Sequence, residues 1–273
     1  PGQPAPLTLN KETPMLNRRS LFATAAALMV AFGAQAQAEG TLRVAISTGY
    51  PPFDVLNADG TYGGFDVEFA NLICERMNRT CEFTDIEWDG IIPGLLANKY
   101  DVIIASMGIN EERMKQVDFS DPYYKGPSAL IARKDAGFTA DEAGTAGKAI
   151  GVQRATAHEC YIGKHMASVD MRQYATSEEA YLDLQAGRID AVLVDTIPGE
   201  EWLKSDPANA ETFAPISADL YDMECFGVGQ GIALRKGEDA LKAELNAAIL
   251  KTREDGSYLE LSNRYFGRDI FDF

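Results

Sequence analysis

The chain has 273 residues, of which 25 are lysine or arginine and 41 are aspartate or glutamate, and its formal net charge at pH 7 is −16. So acidic a chain, without a basic run, is a poor candidate for binding nucleic acid or an anionic membrane surface. The length is enough for one large domain or for two lobes.

Residues 1–38 have the features of a leader that is removed from the mature protein. Two arginines at 18–19 precede an apolar stretch at 21–33, which is too short to span a bilayer, and the small residues that follow predict cleavage near Ala38. We therefore predict a signal peptide at 15–38 and a soluble protein of the periplasm. The arginine pair leaves general secretion and twin-arginine export both open.

The mature chain begins by alternating strands with helices. The segments 42–47 and 101–106 are apolar enough to be buried strands. Asp89 can cap a helix that precedes the second of these strands. An earlier helix is predicted from apolar side chains at helical spacing: Val67, Ala70, Cys74 and Met77.

A charged helix is predicted over 110–120, and Arg113 lies in its first turn. That end of a helix carries partial positive charge, so an arginine there is unfavourable unless an anion is near. The segment therefore predicts a bound negative group beside Arg113. The alternative is a surface arginine that pairs with Glu111 or Glu112.

The second half of the chain continues the alternation, with strands at 149–153 and 190–195. Thr176 and Glu179 form a capping box for a helix over 178–186. Strands that alternate with helices in this way predict parallel sheets with helical crossovers.

Two segments of the chain repeat one pattern. "YDVIIAS" at 100–106 and "IDAVLVD" at 189–195 each follow a helix, and their alignment places Ser106 and Asp195 at the same strand end. The repeat predicts two similar α/β lobes whose strand ends face a shared cleft, where open α/β sheets bind ligands. Chance similarity between two buried strands is the alternative.

Four cysteines in an exported chain favour disulfides. Cys74 and Cys81 flank the point where a helix gives way to a turn, so a bridge between them closes easily. Cys160 and Cys225 form a second bridge or stay as free buried thiols, and the sequence leaves both open. No cysteines or histidines show metal-ligand spacing, so neither a metal nor another cofactor is predicted.

Seven motifs, in order, resemble those of the family 3 periplasmic solute-binding proteins, the amino-acid receptors of ABC importers. They are "GYPPFD", "GGFDVEFANLICERM", "WDGIIPGLLANKYDVIIASMGINEER", "VDFSDPYY", "IGVQRATAH", "LQAGRIDAVLVD" and "FGVGQGIALRK". The resemblance implies a monomeric type II periplasmic binding protein, in which each lobe is a sheet flanked by helices and two hinge strands join the lobes. Its partners would be a small amino-acid ligand and the membrane permease of an ABC transporter.

The resemblance also implies where the chain is divided. One lobe would comprise 39–125 together with 227–273, and the other would comprise 126–226. The hinge strands would lie near 124–127 and 224–228, where the sequence carries turn and extended residues. Ligand closes the cleft in such proteins.

The family resemblance assigns the two charges of a free amino acid to two residues of this chain. Arg113 would bind the carboxylate through both oxygens, and Asp195 would bind the ammonium. Thr156 would complete the carboxylate site with its amide and hydroxyl. The alternatives are helix capping for Asp195 and for Thr156.

The ligand's side chain would lie between two aromatic rings, those of Tyr50 and Trp88, unless Trp88 is an ordinary core residue. Stacking and cation–π attraction suit a guanidinium or a cationic stem there, at roughly 0.5–2 kcal/mol per contact. Capping or surface exposure is the alternative for His158. The candidates for contacting the distal end of the side chain are Ser47, Glu87, Gln153 and His158.

The turn after the strand at 101–106 departs from the common family pattern. Ala105 and Gly108 stand where many relatives carry serine, beside Ser106, and Ala155 stands where they carry glycine. The lost hydroxyls leave space for a bulkier or substituted α-amino group, as in the opine-binding branch. The motifs "EWDGIIP" and "GVQRATAH" resemble most the basic amino acid and octopine branch of the family. The resemblance therefore implies arginine, lysine, ornithine, histidine or octopine as the ligand.

The predicted function is that of a non-catalytic receptor. An enzyme on the same scaffold, similar to cyclohexadienyl or arogenate dehydratases, is one alternative, and a ligand sensor for a membrane receptor is another. Elimination needs a positioned general acid, for which Glu87 and His158 are the candidates. No nucleophile–base pair or metal motif appears in the sequence, so no catalytic residue is predicted.

Overall fold

The computed structural model describes residues 1–3 and 40–271. The signal peptide predicted at 15–38 and its cleavage site near Ala38 lie outside the described residues. Within the described ranges, no helix is both long enough and apolar enough to cross a membrane.

The described part of the chain forms short strands and helices in alternation. The strands are β1 (Thr41–Ile46), β2 (Val55–Leu56), β3 (Tyr62–Gly63), β4 (Thr80–Asp85), β5 (Val102–Ile103), β6 (Asp118–Tyr124), β7 (Ser128–Arg133), β8 (Ala149–Gln153), β9 (Asp170–Tyr174), β10 (Ala191–Asp195), β11 (Phe213–Pro215) and β12 (Gln230–Leu234). The helices are α1 (Phe65–Arg76), α2 (Trp88–Leu96), α3 (Glu111–Met114), α4 (Glu142–Thr145), α5 (Ala157–His165), α6 (Ser177–Gln185), α7 (Thr196–Ser205), α8 (Pro207–Thr212), α9 (Asp239–Glu254) and α10 (Ser257–Phe266).

Two five-stranded sheets share one strand order. The first runs β4-β1-β5-β12-β6, and the second, read from its opposite edge, runs β9-β8-β10-β7-β11. In each sheet the first three strands are parallel and the fourth is antiparallel to both of its neighbours. The two segments that share a sequence pattern form β5 and β10, the central strands of the two sheets.

Helices cover both faces of the second sheet at its central strand β10, which explains why that strand is almost entirely apolar. Successive side chains of a strand point to opposite faces. In β10, Leu193 packs in one cluster with Ile162 of α5, whereas Val192 packs in another with Leu184 of α6. A strand buried on both faces reads as a continuous apolar run, as the sequence analysis assumed.

The chain passes from the first sheet to the second between β6 and β7, and it returns between β11 and β12. Residues 125–127 and 216–229 therefore connect the sheets. The lobe boundaries expected at 125/126 and 226/227 stay a prediction.

The helix predicted over 110–120 is wrong beyond its first turn. α3 has four residues, and Asn110 caps it by accepting the N–H of Arg113 at 3.0 Å. The chain then enters β6, which pairs with β12 more than a hundred residues further along. This distant pairing, with Phe119 buried, outweighs the local helical pattern.

Three smaller expectations are adjusted by the structure. α2 begins at Trp88 with Glu87 as its N-cap, so Asp89 lies inside the first turn. Thr176 caps α6 as predicted, but the carboxylate of Glu179 accepts the N–H of Ala175 rather than that of Thr176. The strand predicted over 101–106 is limited to β5, and the backbone has a positive φ of 51° at Ser106.

Both cysteine pairs form disulfides. Cys74 is bonded to Cys81, as predicted. Cys160 is bonded to Cys225, which answers the question that the sequence left open. The second bridge ties α5 to the connection between β11 and β12.

Candidate functional site

A cavity is lined by residues that follow strands of both sheets. The carboxyl ends of β1 and β5 contribute from the first sheet, and those of β8 and β10 contribute from the second, as expected for open α/β sheets. Glu87 is not among the lining residues and is exposed. The lining includes Ser47 and all ten residues predicted to contact ligand: Tyr50, Trp88, Ala105, Ser106, Gly108, Arg113, Gln153, Thr156, His158 and Asp195.

Arg113 enters the cavity from α3. One of its terminal nitrogens donates to the carbonyl of Gly108 at 3.0 Å, and its guanidinium carbon lies 5.2 Å from the centroid of the Trp88 ring. No carboxylate among the described residues lies within ion-pair distance of this guanidinium. Glu112, one of the two alternative partners, pairs with Lys115 instead.

Arg113 is half-buried, and its loss of solvation makes it an attractor of anions. Burial lowers its pKa from 12.5 to about 10, while the charge of Asp195 and the Tyr50 hydroxyl act in the opposite direction. The guanidinium therefore stays protonated at neutral pH. A partly buried cation without an ion-pair partner costs free energy that an incoming carboxylate can recover.

Asp195 ends β10 and lies at the centre of a hydrogen-bonded cluster. One carboxylate oxygen accepts the Ser128 hydroxyl at 2.9 Å and lies 3.3 Å from His158 Nε2, and the other accepts the Tyr50 hydroxyl. Its side chain makes no capping bond to α7, so helix capping does not explain its position. Burial alone raises the pKa of Asp195, but His158, Tyr50 and Ser128 outweigh it and the pKa is lowered. The cavity therefore contains a fixed negative charge as well as a positive one.

His158 and Thr156 lie at the start of α5. His158 is buried, so the surface alternative is wrong, and its Nε2 lies 3.2 Å from the Ser128 hydroxyl. The Thr156 hydroxyl donates to the carbonyl of Gln153 at 2.6 Å and makes no capping bond. Because Thr156 and the next two residues line the cavity, the positive end of α5 faces it.

Ser106 is held by a buried carboxylate. Its hydroxyl donates to Asp66 at 2.7 Å, and its backbone N–H donates to the Tyr123 hydroxyl, which in turn donates to Asp66 at 2.9 Å. With its proton committed, the Ser106 oxygen can only accept hydrogen bonds from the cavity. The site around Ser106 therefore suits a donor such as an ammonium.

Gly108 is required by close packing across the cavity. A Cβ at this position would lie 2.9 Å from the carbonyl oxygen of Phe226, in the segment that returns to the first sheet. A serine at this position would therefore require the Phe226 backbone to move.

Two aromatic residues and Gln153 complete the set of predicted site residues. Tyr50 stacks on Phe53 with ring centroids 6.0 Å apart. Trp88 is half-buried, lines the cavity and also packs against the core beside α2. The amide of Gln153 donates to the carbonyl of Ala175 at 3.1 Å.

The cavity includes residues that the sequence analysis did not single out. Asp54 and Gln230 are buried polar side chains in the wall, and both belong to motifs quoted above, "GYPPFD" and "FGVGQGIALRK". The sequence feature that could have identified Asp54 is a charged residue at the end of a turn that contains aromatic residues. The other additional lining residues are Thr48, Gly126, Ala157 and Phe226. Across the described residues, no cluster of three histidine, cysteine or acidic side chains is arranged to hold a metal ion.

Comparison with known proteins extends these observations. The sequence profile of the bacterial extracellular solute-binding proteins, family 3, matches residues 42–268. The chain is 37% identical over 237 residues to the L-arginine-binding protein of Pseudomonas aeruginosa, which covers 86% of this chain and 91% of that protein. It is 37% identical over 241 residues to ABC transporter arginine-binding protein 1 of Escherichia coli, which covers 88% and 97%.

A solved structure gives the same result. A periplasmic binding protein of Salmonella typhimurium, described for its high arginine specificity, is 33% identical to this chain and superposes on it with a TM-score of 0.77. The match covers 83% of this chain and 99% of that one. The predicted two-lobed α/β fold is confirmed.

Proposed function

This chain belongs to family 3 of the bacterial extracellular solute-binding proteins, and we propose that it is the periplasmic receptor of an ABC importer for a basic amino acid, with arginine the first choice. The names of its relatives support that choice. An opine that carries a guanidinium, such as octopine, fits the same chemistry. The receptor acts as a monomer and passes its ligand to a membrane permease, after removal of the leader near Ala38.

The proposal rests mainly on one observation: Arg113 and Asp195 place a partly buried cation and a partly buried anion in the same cavity. A free amino acid has a carboxylate and an ammonium on one carbon, and neither can be buried unpaired without a cost of several kcal/mol. Arg113 binds the carboxylate with its guanidinium fork, assisted by the N-terminus of α5. Asp195 binds the ammonium, and the Ser106 oxygen accepts a second N–H.

The side chain of the ligand lies against Tyr50 and Trp88. A guanidinium stacked on these rings gains roughly 0.5–2 kcal/mol per contact. The same aromatic wall is less favourable to an acidic side chain, whose charge is repelled by the ring faces.

Binding without catalysis is the role that the relatives support, since they are named as binding proteins. His158, one of the two candidate general acids, is hydrogen-bonded within the Asp195 cluster, and Glu87 lies outside the cavity lining. A sensor for a membrane receptor would use the same cavity and differ only in its partner.

The test is a calorimetric panel of amino acids and opines on the wild type and on Arg113→Ala. Wild type should bind a basic amino acid, and Arg113→Ala should lose roughly 30-fold or more in affinity, as when one partner of a buried charge pair is removed. The unliganded variant should melt at the same temperature or higher, because the buried cation is unpaired. Arg133→Ala, which removes a surface arginine paired with Asp135, is the control and should bind normally. Retained affinity in Arg113→Ala, or no binding of any member of the panel, would refute the proposal.

A further inference from the structure

Asp54 is a buried carboxylate in the cavity wall. The contacts proposed between the ligand and Arg113, Asp195 and Ser106 do not involve it. Asp54 is 1% exposed, and neither of its buried carboxylate oxygens accepts a hydrogen bond of ordinary geometry from the described part of the chain. The side chain is turned inward by a tight turn in which the Tyr50 N–H donates to the Asp54 carbonyl and the Asp54 N–H donates to the Tyr50 carbonyl, both at 3.1 Å.

The residues around Asp54 raise the free-energy cost of its ionised form further. Burial raises the pKa of Asp54 well above its ordinary value, the negative charges of Asp66 and Asp85 raise it further, and the backbone N–H of Ser47 facing it lowers it only in part. Buried carboxylates in proteins are normally paired with a cation or hydrogen-bonded. No lysine or arginine forms an ion pair with Asp54 in the described part of the chain, so these residues supply no such cation.

A second acceptor in the same wall is also unsatisfied. Gln230, the first residue of β12, is buried, and its side-chain oxygen has no donor among the described residues. Both residues line the cavity that Arg113 enters. The wall thus offers unpaired acceptors in addition to the Asp195 cluster, and a ligand needs N–H donors beyond its α-ammonium to satisfy them.

We propose that Asp54 is the residue that selects a positively charged side chain, by forming an ion pair with the guanidinium or ammonium at its distal end. The inference rests on the proposed function. It concerns the distal end of the ligand's side chain, which neither Arg113 nor Asp195 is proposed to contact. A guanidinium has five N–H groups, enough to reach Asp54 and the Gln230 oxygen together. Glu87, the acidic residue that the sequence suggested for this end, is exposed and lies outside the cavity lining.

The experiment compares arginine with citrulline, which has the same length but a neutral urea in place of the guanidinium. Wild type should bind arginine roughly 30-fold or more tightly than citrulline, because citrulline leaves the Asp54 charge unpaired. Asp54→Asn should lose most of this preference, chiefly by binding arginine less tightly, and should still bind citrulline. Glu87→Gln removes an acidic charge outside the cavity and should keep the wild-type preference.

The outcomes separate the inference from the proposed function. If wild type binds neither compound, nor any other basic amino acid or opine, the proposed function fails. If wild type binds both equally, or if Asp54→Asn keeps the preference or loses both compounds while still melting cooperatively, the role of Asp54 is refuted. Should Asp54→Asn not fold, Asp54→Ser provides the same comparison.

Discussion

The two charged residues Arg113 and Asp195 differ in how many groups of the protein interact with each of them. Asp195 accepts hydrogen bonds from Tyr50 and Ser128 and lies beside His158, whereas Arg113 donates to a backbone carbonyl and has no described carboxylate partner. A charge that is already well solvated by protein dipoles gains less from a ligand than an unpaired one. We therefore expect Arg113 to contribute more to ligand affinity than Asp195.

The ammonium contact proposed for Asp195 can be tested by removing the ammonium from the ligand. Asp195→Asn should weaken the binding of arginine by about 2 kcal/mol or more, the cost of losing one partner of a charge pair, but by less than Arg113→Ala does. The deaminated analogue of arginine has no ammonium to lose and should bind the variant and the wild type almost equally. Calorimetry with both compounds measures the difference.

Ser128→Ala is the matched control for Asp195→Asn. It removes a hydrogen bond of 2.9 Å to the same carboxylate but leaves its charge in place, so arginine should bind this variant far better than it binds Asp195→Asn. Equal weakening of arginine and its deaminated analogue by Asp195→Asn would argue against an ammonium contact.

Asp66, which holds Ser106, gives a prediction for the dependence of stability on pH. Burial raises its pKa from 3.8 to about 6, although Ser106 and Tyr123 act to lower it. Because the folded pKa is above the unfolded one, its stabilising contribution is complete below about pH 4 and is lost as the pH rises through about 6. The unfolding free energy of wild type relative to Asp66→Asn should therefore fall by on the order of 3 kcal/mol over that range.

Urea unfolding at several pH values measures this difference in unfolding free energy. Asp255→Asn is the control, because the pKa of Asp255 is shifted in the opposite direction. The hydroxyl and N–H of Ser257, with Arg76, lower the pKa of Asp255 to about 2. Its contribution is present above the unfolded pKa and is lost only as the pH falls toward 2, so the Asp255→Asn difference should stay flat between about pH 5 and 7. A flat Asp66→Asn difference over the whole range would contradict the burial argument.

At the level of elements, the sequence predicted what local pattern can specify and missed what distant contacts decide. The strand at 149–153 and the cap at Thr176 follow from nearby residues and are found as expected. The helix over 110–120 failed because β6 is stabilised by pairing with β12, which no local pattern reveals. Asp54 was missed for the same reason, since only the folded turn shows that its carboxylate points inward rather than to solvent.

The two disulfides should differ in their contribution to stability. Cys160 and Cys225 are 65 residues apart in sequence, whereas Cys74 and Cys81 are 7 apart. A bridge that closes a longer loop restricts the unfolded chain more, and the expected contributions are about 4 kcal/mol and about 2.5 kcal/mol. Paired serine substitutions, followed by urea unfolding without reductant, should therefore show the larger loss for the 160–225 pair. An equal or reversed order would show that the unfolded-chain argument does not apply here.

At the scale of the whole molecule, a few contacts link the two sheets across the mouth of the cavity. The Trp88 indole N–H donates to the carbonyl of Ala155 at 3.0 Å, and Arg154 forms an ion pair of 2.6 Å with Asp89. α2, which carries Trp88 and Asp89, belongs to the first sheet's side, and the turn after β8 belongs to the second. Since periplasmic binding proteins close about a hinge, contacts of this kind stabilise the closed form.

Removing the Arg154–Asp89 ion pair tests how much such a contact slows the dissociation of the ligand. Its side chains are 43% and 40% exposed, so the pair is worth at most about 1 kcal/mol. Arg154→Ala should therefore weaken arginine binding by up to about fivefold, mainly through faster dissociation, and high salt should reduce the effect because it screens exposed charges. Stopped-flow dissociation rates at low and high salt measure it. Arg133→Ala removes an exposed pair within the second sheet's side and should leave the dissociation rate unchanged, so an equal effect of both variants would show that the 154–89 contact does not hold the cavity closed.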